Sequence, residues 1–184
     1  SAILNITPDH LNRHHTMEAY IQAKKNVAIN QTAEDTCVLN YEDEVLREFG
    51  ETLQTKVLYF SSKRKLDKGI YLDDGNIIYR NPDECLVCNV KELKLLGVHN
   101  YENVMAAVAM AAAYGVPMDS IRKTIKEFAG VEHRIEFVAE KNGVAYYNDS
   151  KGTNPDAAIR GIQAMNRPTY LIGGGYDKQS EYKE

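Results

Sequence analysis

The chain has 184 residues, of which 43% are hydrophobic and 26% are charged. These proportions are typical of a globular protein with one large or two small domains. The formal net charge of −4 argues against a nucleic-acid partner, because polyphosphate backbones are bound mainly through clustered Lys and Arg. Any phosphate bound here is therefore expected on a small molecule.

The sequence also bears on location and redox state. No apolar run approaches the roughly 20 residues needed to cross a bilayer, and the N-terminus lacks the basic-then-apolar order of a signal peptide. We therefore expect a cytoplasmic protein with no membrane partner.

Cys85 and Cys88 form a CxxC pair, but no second pair or nearby His completes four zinc ligands. These two cysteines and Cys37 are predicted to be reduced thiols, buried or partly buried.

The first half of the chain alternates short apolar strands with helices, which favours a largely parallel sheet with helices packed on it. Residues 1–6 resemble the end of a buried strand, and we expect the chain to begin within a domain. The elements predicted next are a helix from a Thr16 cap to Asn30, a strand at 37–40, a helix at 43–50, a strand at 57–60, and a hairpin of 70–72 and 77–79.

The helix after Thr16 carries one polar residue, Lys24, on its apolar face. The rest of that face, at helical spacing, consists of Met17, Tyr20, Ile21, Val27 and Ala28. A lone helical Lys usually reaches solvent, so its position by itself is weak evidence of a site.

The second half contains an apolar helix at 99–114, ended by Gly115 and Pro117, and another helix at 119–128. The pattern changes after Gly130, so we place a domain boundary there, between residues 1–130 and 131–184. The elements predicted beyond it are strands at 135–140 and 144–148 joined by Lys-Asn-Gly, a helix at 155–165 and a strand at 169–172. We expect both ends of the chain to be truncated.

Four polar clusters stand out: residues 5–10, Lys24, residues 99–103, and the stretch from 133 to 155. Each has an ordinary alternative, since a His at a strand end often has a structural hydrogen bond and Asn at a helix start is often a cap. Residues 148–151 follow an apolar strand, where open α/β sheets place ligands, but they could equally form a loop before a helix. The glycines at 173–175 do not form GxGxxG.

The order and spacing of these clusters resemble the Mur ligase family, and within it the members that add D-glutamate. The similarity runs from end to end of the chain. It is carried by LNITPDHLNRH at 4–14, AKK at 23–25, GVHNYEN at 97–103, VEHR at 131–134, YNDSKGTNP at 147–155 and LIGGGYDK at 171–178.

The resemblance implies an α/β fold. Residues 1–130 would form the C-terminal part of a central ATP-binding domain with a mostly parallel sheet. Residues 131–184 would form the start of a Rossmann-like C-terminal domain, which is mobile in the family, so the boundary near Gly130 would be a hinge.

The implied reaction is ATP-dependent amide formation in peptidoglycan synthesis, with UDP-N-acetylmuramoyl-L-alanine and D-glutamate as substrates. The substrate carboxylate attacks the γ-phosphate of ATP to give an acyl phosphate, and the amine then displaces phosphate. Because anionic groups must approach one another, magnesium ions and fixed cations have to neutralise them.

The family pattern implies metal and catalytic roles for the N-terminal clusters. His10 would be a Mg²⁺ ligand. Lys24 would react with carbon dioxide to form a carbamate, whose oxygens suit Mg²⁺, although the neighbouring Lys25 is an alternative.

The same pattern implies roles for the later clusters. Asn100 and Asn103 would contact the adenine, Arg134 would reach the phosphates, and Asp149 would accept hydrogen bonds from the ribose. The residues that would bind D-glutamate or steady the acyl phosphate are Lys151, Thr153 and Lys178.

Some readings remain open beside this one. No segment has the form GxxxxGK[ST], the loop that would cradle the phosphates of ATP. We therefore expect the chain by itself to be inactive. The alternatives are a sister Mur ligase with another amino acid, a folylpolyglutamate synthase-like enzyme, and a non-catalytic nucleotide-binding module. We expect a monomer.

Overall fold

The computed structural model describes residues 1–175. Its strands are β1 Ala2–Ile3, β2 Thr36–Asn40, β3 Lys56–Ser61, β4 Gly69–Asp73, β5 Asn76–Arg80, β6 Glu84–Asn89, β7 Glu136–Lys141 and β8 Val144–Asn148. Its helices are α1 Leu11–His14, α2 Met17–Lys25, α3 Glu44–Thr52, α4 Val98–Ala113, α5 Met118–Glu127 and α6 Pro155–Gln163. Within this part of the chain, no helix is long and apolar enough to cross a membrane.

The larger sheet has six strands in the order β1-β2-β3-β4-β5-β6. The first four are parallel to one another, and β5 and β6 then add antiparallel. The predicted α/β fold with a mostly parallel sheet is therefore confirmed. The 3₁₀ turn Asn26–Ala28 ends the predicted first long helix, which is shorter than expected.

Two tight turns follow the sequence signals for hairpins. Asp74 and Gly75 join β4 to β5 with φ of 45° and 75°, and Asn142 and Gly143 join β7 to β8 with φ of 53° and 76°. Both central residues of a type I′ turn need positive φ, which Asn, Asp and Gly tolerate best. Both predicted hairpins are confirmed.

Strand β6 was not predicted from the sequence. It pairs with β5, and its register shifts opposite Ile77 and Ile78. The shift leaves the consecutive residues Val87 and Cys88 both buried, so the alternation that marks a half-buried strand is interrupted. Burial raises the pKa of the Cys88 thiol to about 11.

Helix α4 packs across β2, β3 and β4 and fills the centre of the larger core. It is rich in Ala, which allows close approach to the sheet, and its buried residues continue to Ala109. Gly115, with φ of 86°, ends the helix, and Pro117 follows it. On the opposite face of the sheet, α3 covers β2 through Leu46 and Phe49.

Hydrogen bonds hold the segment after β1 against the carboxyl ends of the neighbouring strands. The Asn40 side chain donates to the Leu4 carbonyl at 3.0 Å, and the Ile6 N–H donates to the Asp43 carboxylate at 2.7 Å. Asp43 also caps α3 by accepting from the Leu46 N–H. Residues 4–9 are thereby fixed at the edge of the sheet where α/β proteins place ligands.

Strands β7 and β8 form a separate two-stranded sheet, followed by α6. The predicted strand at 169–172 is wrong, because these residues have no regular secondary structure. Tyr170 and Ile172 are almost fully exposed. Apolar strand-forming residues become a strand only when a neighbouring strand accepts their hydrogen bonds, and none does so within residues 1–175.

The buried part of α4 offers a stability test with a matched control. Met105 is fully buried, whereas Met110 on the same helix is 42% exposed. Met105→Ala should lower the free energy of unfolding by about 2–5 kcal/mol, because it leaves a cavity in the core. Met110→Ala should change it by less than about 1 kcal/mol. Urea denaturation measures both, and equal effects would contradict the placement of α4.

Candidate functional site

A polar cleft of about 260 Å³ is lined by residues that come before and after Gly130 in the chain. The segment after β1, helix α2, the first turns of α4, the loops flanking the β7–β8 hairpin and the start of α6 all contribute to it. Its lining residues are Leu4, Asn5, Thr7, Asp9, Tyr20, Lys24, His99, Glu102, Asn103, Arg134, Lys151, Asn154, Asp156, Ala157 and Arg160.

The structure separates Lys24 from its neighbour Lys25. The Lys24 ammonium lies 5.4 Å from the centroid of the Tyr20 ring, and both residues line the cleft. Lys25 faces a different groove, with its Nζ 5.2 Å from the centroid of the Phe49 ring. Consecutive helical residues point about 100° apart, so only one of the two can face the cleft. The geometry favours Lys24.

The N-terminal turns of α4 place a polar face on the cleft. His99, Glu102 and Asn103 are three and four residues apart, so they lie on one side of an otherwise apolar helix. Asn100 lies behind them, buried, where its side chain donates to the Leu96 carbonyl at 2.7 Å. Its carbonyl oxygen accepts from the Asn103 amide at 3.4 Å. Asn100 therefore orients Asn103.

Arg134 and Lys151 bring positive charge from the loops on either side of the β7–β8 hairpin. The Lys151 N–H donates to the His133 carbonyl at 3.0 Å, which ties the segment after β8 to the one before β7. The His133 ring nitrogen Nδ1 lies 2.9 Å from the Asn148 amide, which supports the same junction. These contacts bring two residues that are far apart in sequence to one wall of the cleft.

Asp149 lies just behind the lining residues. Its carboxylate accepts from the Ile135 N–H at 3.1 Å. A side chain at Gly161 or Gly152 would meet it, because an added Cβ would lie 2.5 or 2.9 Å from Asp149 Oδ2. The two glycines therefore leave room for this carboxylate against α6.

The remaining predicted residues lie beside the cleft or beyond the described part. The His10 side chain is mostly exposed, and its Nε2 is 3.6 Å from the carboxylate of Asp9, which does line the cleft. Thr153 is exposed, and its N–H donates to the Lys151 carbonyl at 3.0 Å. Lys178 lies outside the described residues.

The contacts that join α4 to α6 were not predicted from the sequence. Glu102 on α4 accepts a hydrogen bond from the Ser62 hydroxyl at 2.6 Å and forms an ion pair with Arg160 on α6 at 3.7 Å. The Arg160 Nε also donates to Asp156 at 2.9 Å. A second link is the hydrogen bond that the Asn154 amide donates to the Asp9 carboxylate at 3.4 Å. The i, i+4 spacing of Asp156 and Arg160 was the one signal available in the sequence.

The charges in the cleft are unevenly matched. Arg160 is compensated by two carboxylates, whereas Lys24, Arg134 and Lys151 form no ion pair among residues 1–175. Three uncompensated cations around one polar cleft favour an anionic ligand, and several anionic groups could be held at once.

His99 is the buried ionisable group of the cleft wall. Burial lowers the pKa of His99 below its ordinary value, and the positive charges of Arg134 and Arg160 act in the same direction. The carboxylates of Asp149 and Asp156 oppose this effect without reversing it. The imidazole is therefore neutral at pH 7.

The lowered pKa of His99 predicts a loss of stability in acid. The unfolded chain takes up this proton near pH 6.5, before the folded protein does, so the stabilisation is complete above that pH and declines below it. Between pH 7.5 and 5.5, the wild-type protein should lose more unfolding free energy than His99→Phe. Urea midpoints at the two pH values measure this difference, and equal losses in both proteins would contradict it.

Comparison with known proteins now identifies the family. Residues 1–111 match the model of the Mur ligase middle domain, which is more than half of the chain. The chain belongs to the Mur ligase family. It is 62% identical over its whole length to a UDP-N-acetylmuramoylalanine–D-glutamate ligase from Lachnoclostridium phytofermentans. It spans 41% of the length of that relative.

Solved structures agree with this Mur ligase fold. MurF from Acinetobacter baumannii superposes with a TM-score of 0.70 at 22% identity, covering 89% of this chain and 36% of that one. MurF from Thermotoga maritima in complex with ADP gives a TM-score of 0.65 at 19% identity, covering 89% of this chain and 38% of that one. At these identities, the likeness establishes the fold alone.

Proposed function

We propose that this chain is the middle part of an ATP-dependent ligase that adds D-glutamate to UDP-N-acetylmuramoyl-L-alanine in peptidoglycan synthesis. The observation that carries the proposal is the cleft, where the polar face of α4 meets Lys24, Arg134 and Lys151, none of which forms an ion pair within residues 1–175. Over essentially its whole length, the chain is 62% and 57% identical to two relatives with the D-glutamate ligase name. A cleft of this charge suits a reaction between several anions.

In this reaction the cleft would have to hold several negatively charged groups close together. A carboxylate must approach a triphosphate, and D-glutamate brings two further carboxylates. Arg134 and Lys151 would hold these anions and weaken their mutual repulsion, and a fixed arginine or lysine does so without reorganising during the reaction. Thr153 and Lys178 would add contacts to D-glutamate or to the acyl phosphate.

The nucleoside would bind beside these cations. Asn103 faces the cleft and is oriented by Asn100, which suits a hydrogen bond to the adenine edge. Asp149 would accept from the ribose hydroxyls. In the present arrangement Asp149 Oδ1 accepts from the Ile135 N–H, and an ionised carboxylate has further lone pairs for a ribose hydroxyl.

A carbamate on Lys24 would improve the fit of the cleft to magnesium. Residues 1–175 contain no group of three or more His, Cys, Asp and Glu side chains that could hold a metal. Among residues 1–175, Lys24 has no ion pair that would favour its ammonium form. Its neutral amine would add carbon dioxide and release a proton, and the carbamate would supply the hard oxygen donors that Mg²⁺ prefers. His10, next to Asp9, would supply a further ligand. Bound Mg²⁺ would neutralise phosphate charge.

We also propose a two-domain arrangement with its boundary near Gly130. Gly130 has φ of 105°, and it separates α5, which packs on the six-stranded sheet, from the two-stranded sheet. Contacts between the parts include the ion pair of Arg160 with Glu102 and the hydrogen bond from Asn154 to Asp9. Such contacts can open and re-form, which is consistent with a hinge at this glycine.

Two rival functions make different predictions. A sister ligase would accept another amino acid in the same cleft. A non-catalytic nucleotide-binding module would bind ATP without turnover.

Substrate dependence tests the proposal directly. The full-length protein that contains this chain should release phosphate from ATP only when UDP-N-acetylmuramoyl-L-alanine and D-glutamate are both present. L-glutamate, L-alanine and a diamino acid serve as controls in the same phosphate assay. Release with one of the controls instead would favour a sister ligase, and ATP binding with no release would favour the binding module.

The role of Lys24 has a matched control in Lys25. In the full-length protein, Lys24→Ala should reduce kcat at least about 100-fold, because the carbamate oxygens are lost, and formate or acetate should restore part of it. Lys25→Ala should keep kcat within about threefold, since Lys25 faces another groove. The reverse pattern, with rescue in the Lys25 variant, would move the carbamate to Lys25.

A further inference from the structure

The wall of the cleft contains a buried hydrogen-bonding atom without a partner. His99 is 8% exposed, and its Nε2 is the one buried side-chain nitrogen or oxygen within residues 1–175 that makes no hydrogen bond. Folded proteins seldom leave such an atom unpaired, because it has lost its water without gaining a replacement. When an unpaired atom of this kind lies at a ligand cleft, the ligand is the natural partner.

The location of His99 favours a ligand that enters between α4 and α6. His99 shares its helix face with Asn103, one turn further along α4. The last turn of α6 lies close to the start of α4, since a Cβ added to Gly97 would be 2.7 Å from the Ala164 Cβ and 2.9 Å from the His99 ring. The imidazole therefore lies beside the junction of α4 with the end of α6, and a shift of that helix would widen the space next to it.

The charge state of His99 indicates which part of a ligand it meets. Burial and the guanidinium groups of Arg134 and Arg160 keep the ring neutral, although Asp149 and Asp156 face it as well. A neutral imidazole in that setting is a poor competitor for phosphate beside uncompensated Lys and Arg side chains. It is well suited to a hydroxyl, a ring nitrogen or an amino group.

We propose that His99 binds the nucleoside part of the nucleotide, with Nε2 hydrogen-bonded to the sugar or the base once the ligand enters between α4 and α6. His99 thereby joins Asn103 in selecting the nucleoside, and the cations of the cleft hold the phosphates. This inference rests on the proposed function, because it assumes that the cleft binds ATP.

Two substitutions in the full-length protein test the hydrogen bond. His99→Phe keeps a ring of similar size but removes Nε2, and it should weaken ADP binding about tenfold, measured by calorimetry. His99→Gln places an amide near the position of Nε2 and should bind ADP within about threefold of wild type. The loss in His99→Phe should be similar for AMP, ADP and ATP, because the contact is to the nucleoside.

Stability without nucleotide separates this role from a structural one. Because Nε2 has no partner within residues 1–175, His99→Phe should unfold at the same urea concentration as wild type or a higher one. If His99→Phe unfolds earlier and binds ADP normally, Nε2 has a structural partner such as water, and the inference fails. A loss found with ATP alone would assign the contact to the γ-phosphate and overturn the nucleoside assignment.

The outcomes for this inference and for the proposed function are distinct. If the wild-type protein turns over ATP with D-glutamate and His99→Phe binds all three nucleotides normally, only the inference about His99 is wrong. If the wild-type protein does not turn over ATP with both substrates, the proposed function itself is wrong.

Discussion

The burial of α4 on the parallel strands is the constraint on which the rest of the structure depends. The helix fills the core with Met105, Val108 and Ala109, and this packing fixes its rotation and its height above the sheet. Because the rotation is fixed, the polar residues of the first turns must emerge at one place, beside the segment that follows β1. The cleft lies at that place, so the packing of the core determines the position of the site.

The second constraint is the contact of α6 with α4. Glu102 lies between the Ser62 hydroxyl and the Arg160 guanidinium, so a residue of the central helix connects the end of β3 with the second part of the chain. Its side chain is 17% exposed, and a carboxylate that is largely removed from water needs such partners. His99 lines the cleft beside Glu102 and Arg160.

Much of the fold was predictable from local patterns. The Asp-Gly and Asn-Gly turns, the Thr16 cap and the Ala-rich α4 are signals in which nearest neighbours decide the structure. The predictions failed where distant partners decide. Strand β6 is interrupted by a register shift against β5, and residues 169–172 have strand-forming side chains but no strand beside them within the described part.

The sequence by itself determined the α/β class, the hairpins and the family resemblance, because these depend on periodicity, turn chemistry and the spacing of motifs. Tertiary structure alone decided that Lys24 faces the cleft and Lys25 does not, and that Arg160 is compensated while Arg134 is not. It also decided that the His99 Nε2 is buried with no partner in the described part of the chain. Charge compensation and burial depend on groups brought together from distant parts of the chain, and no local pattern records them.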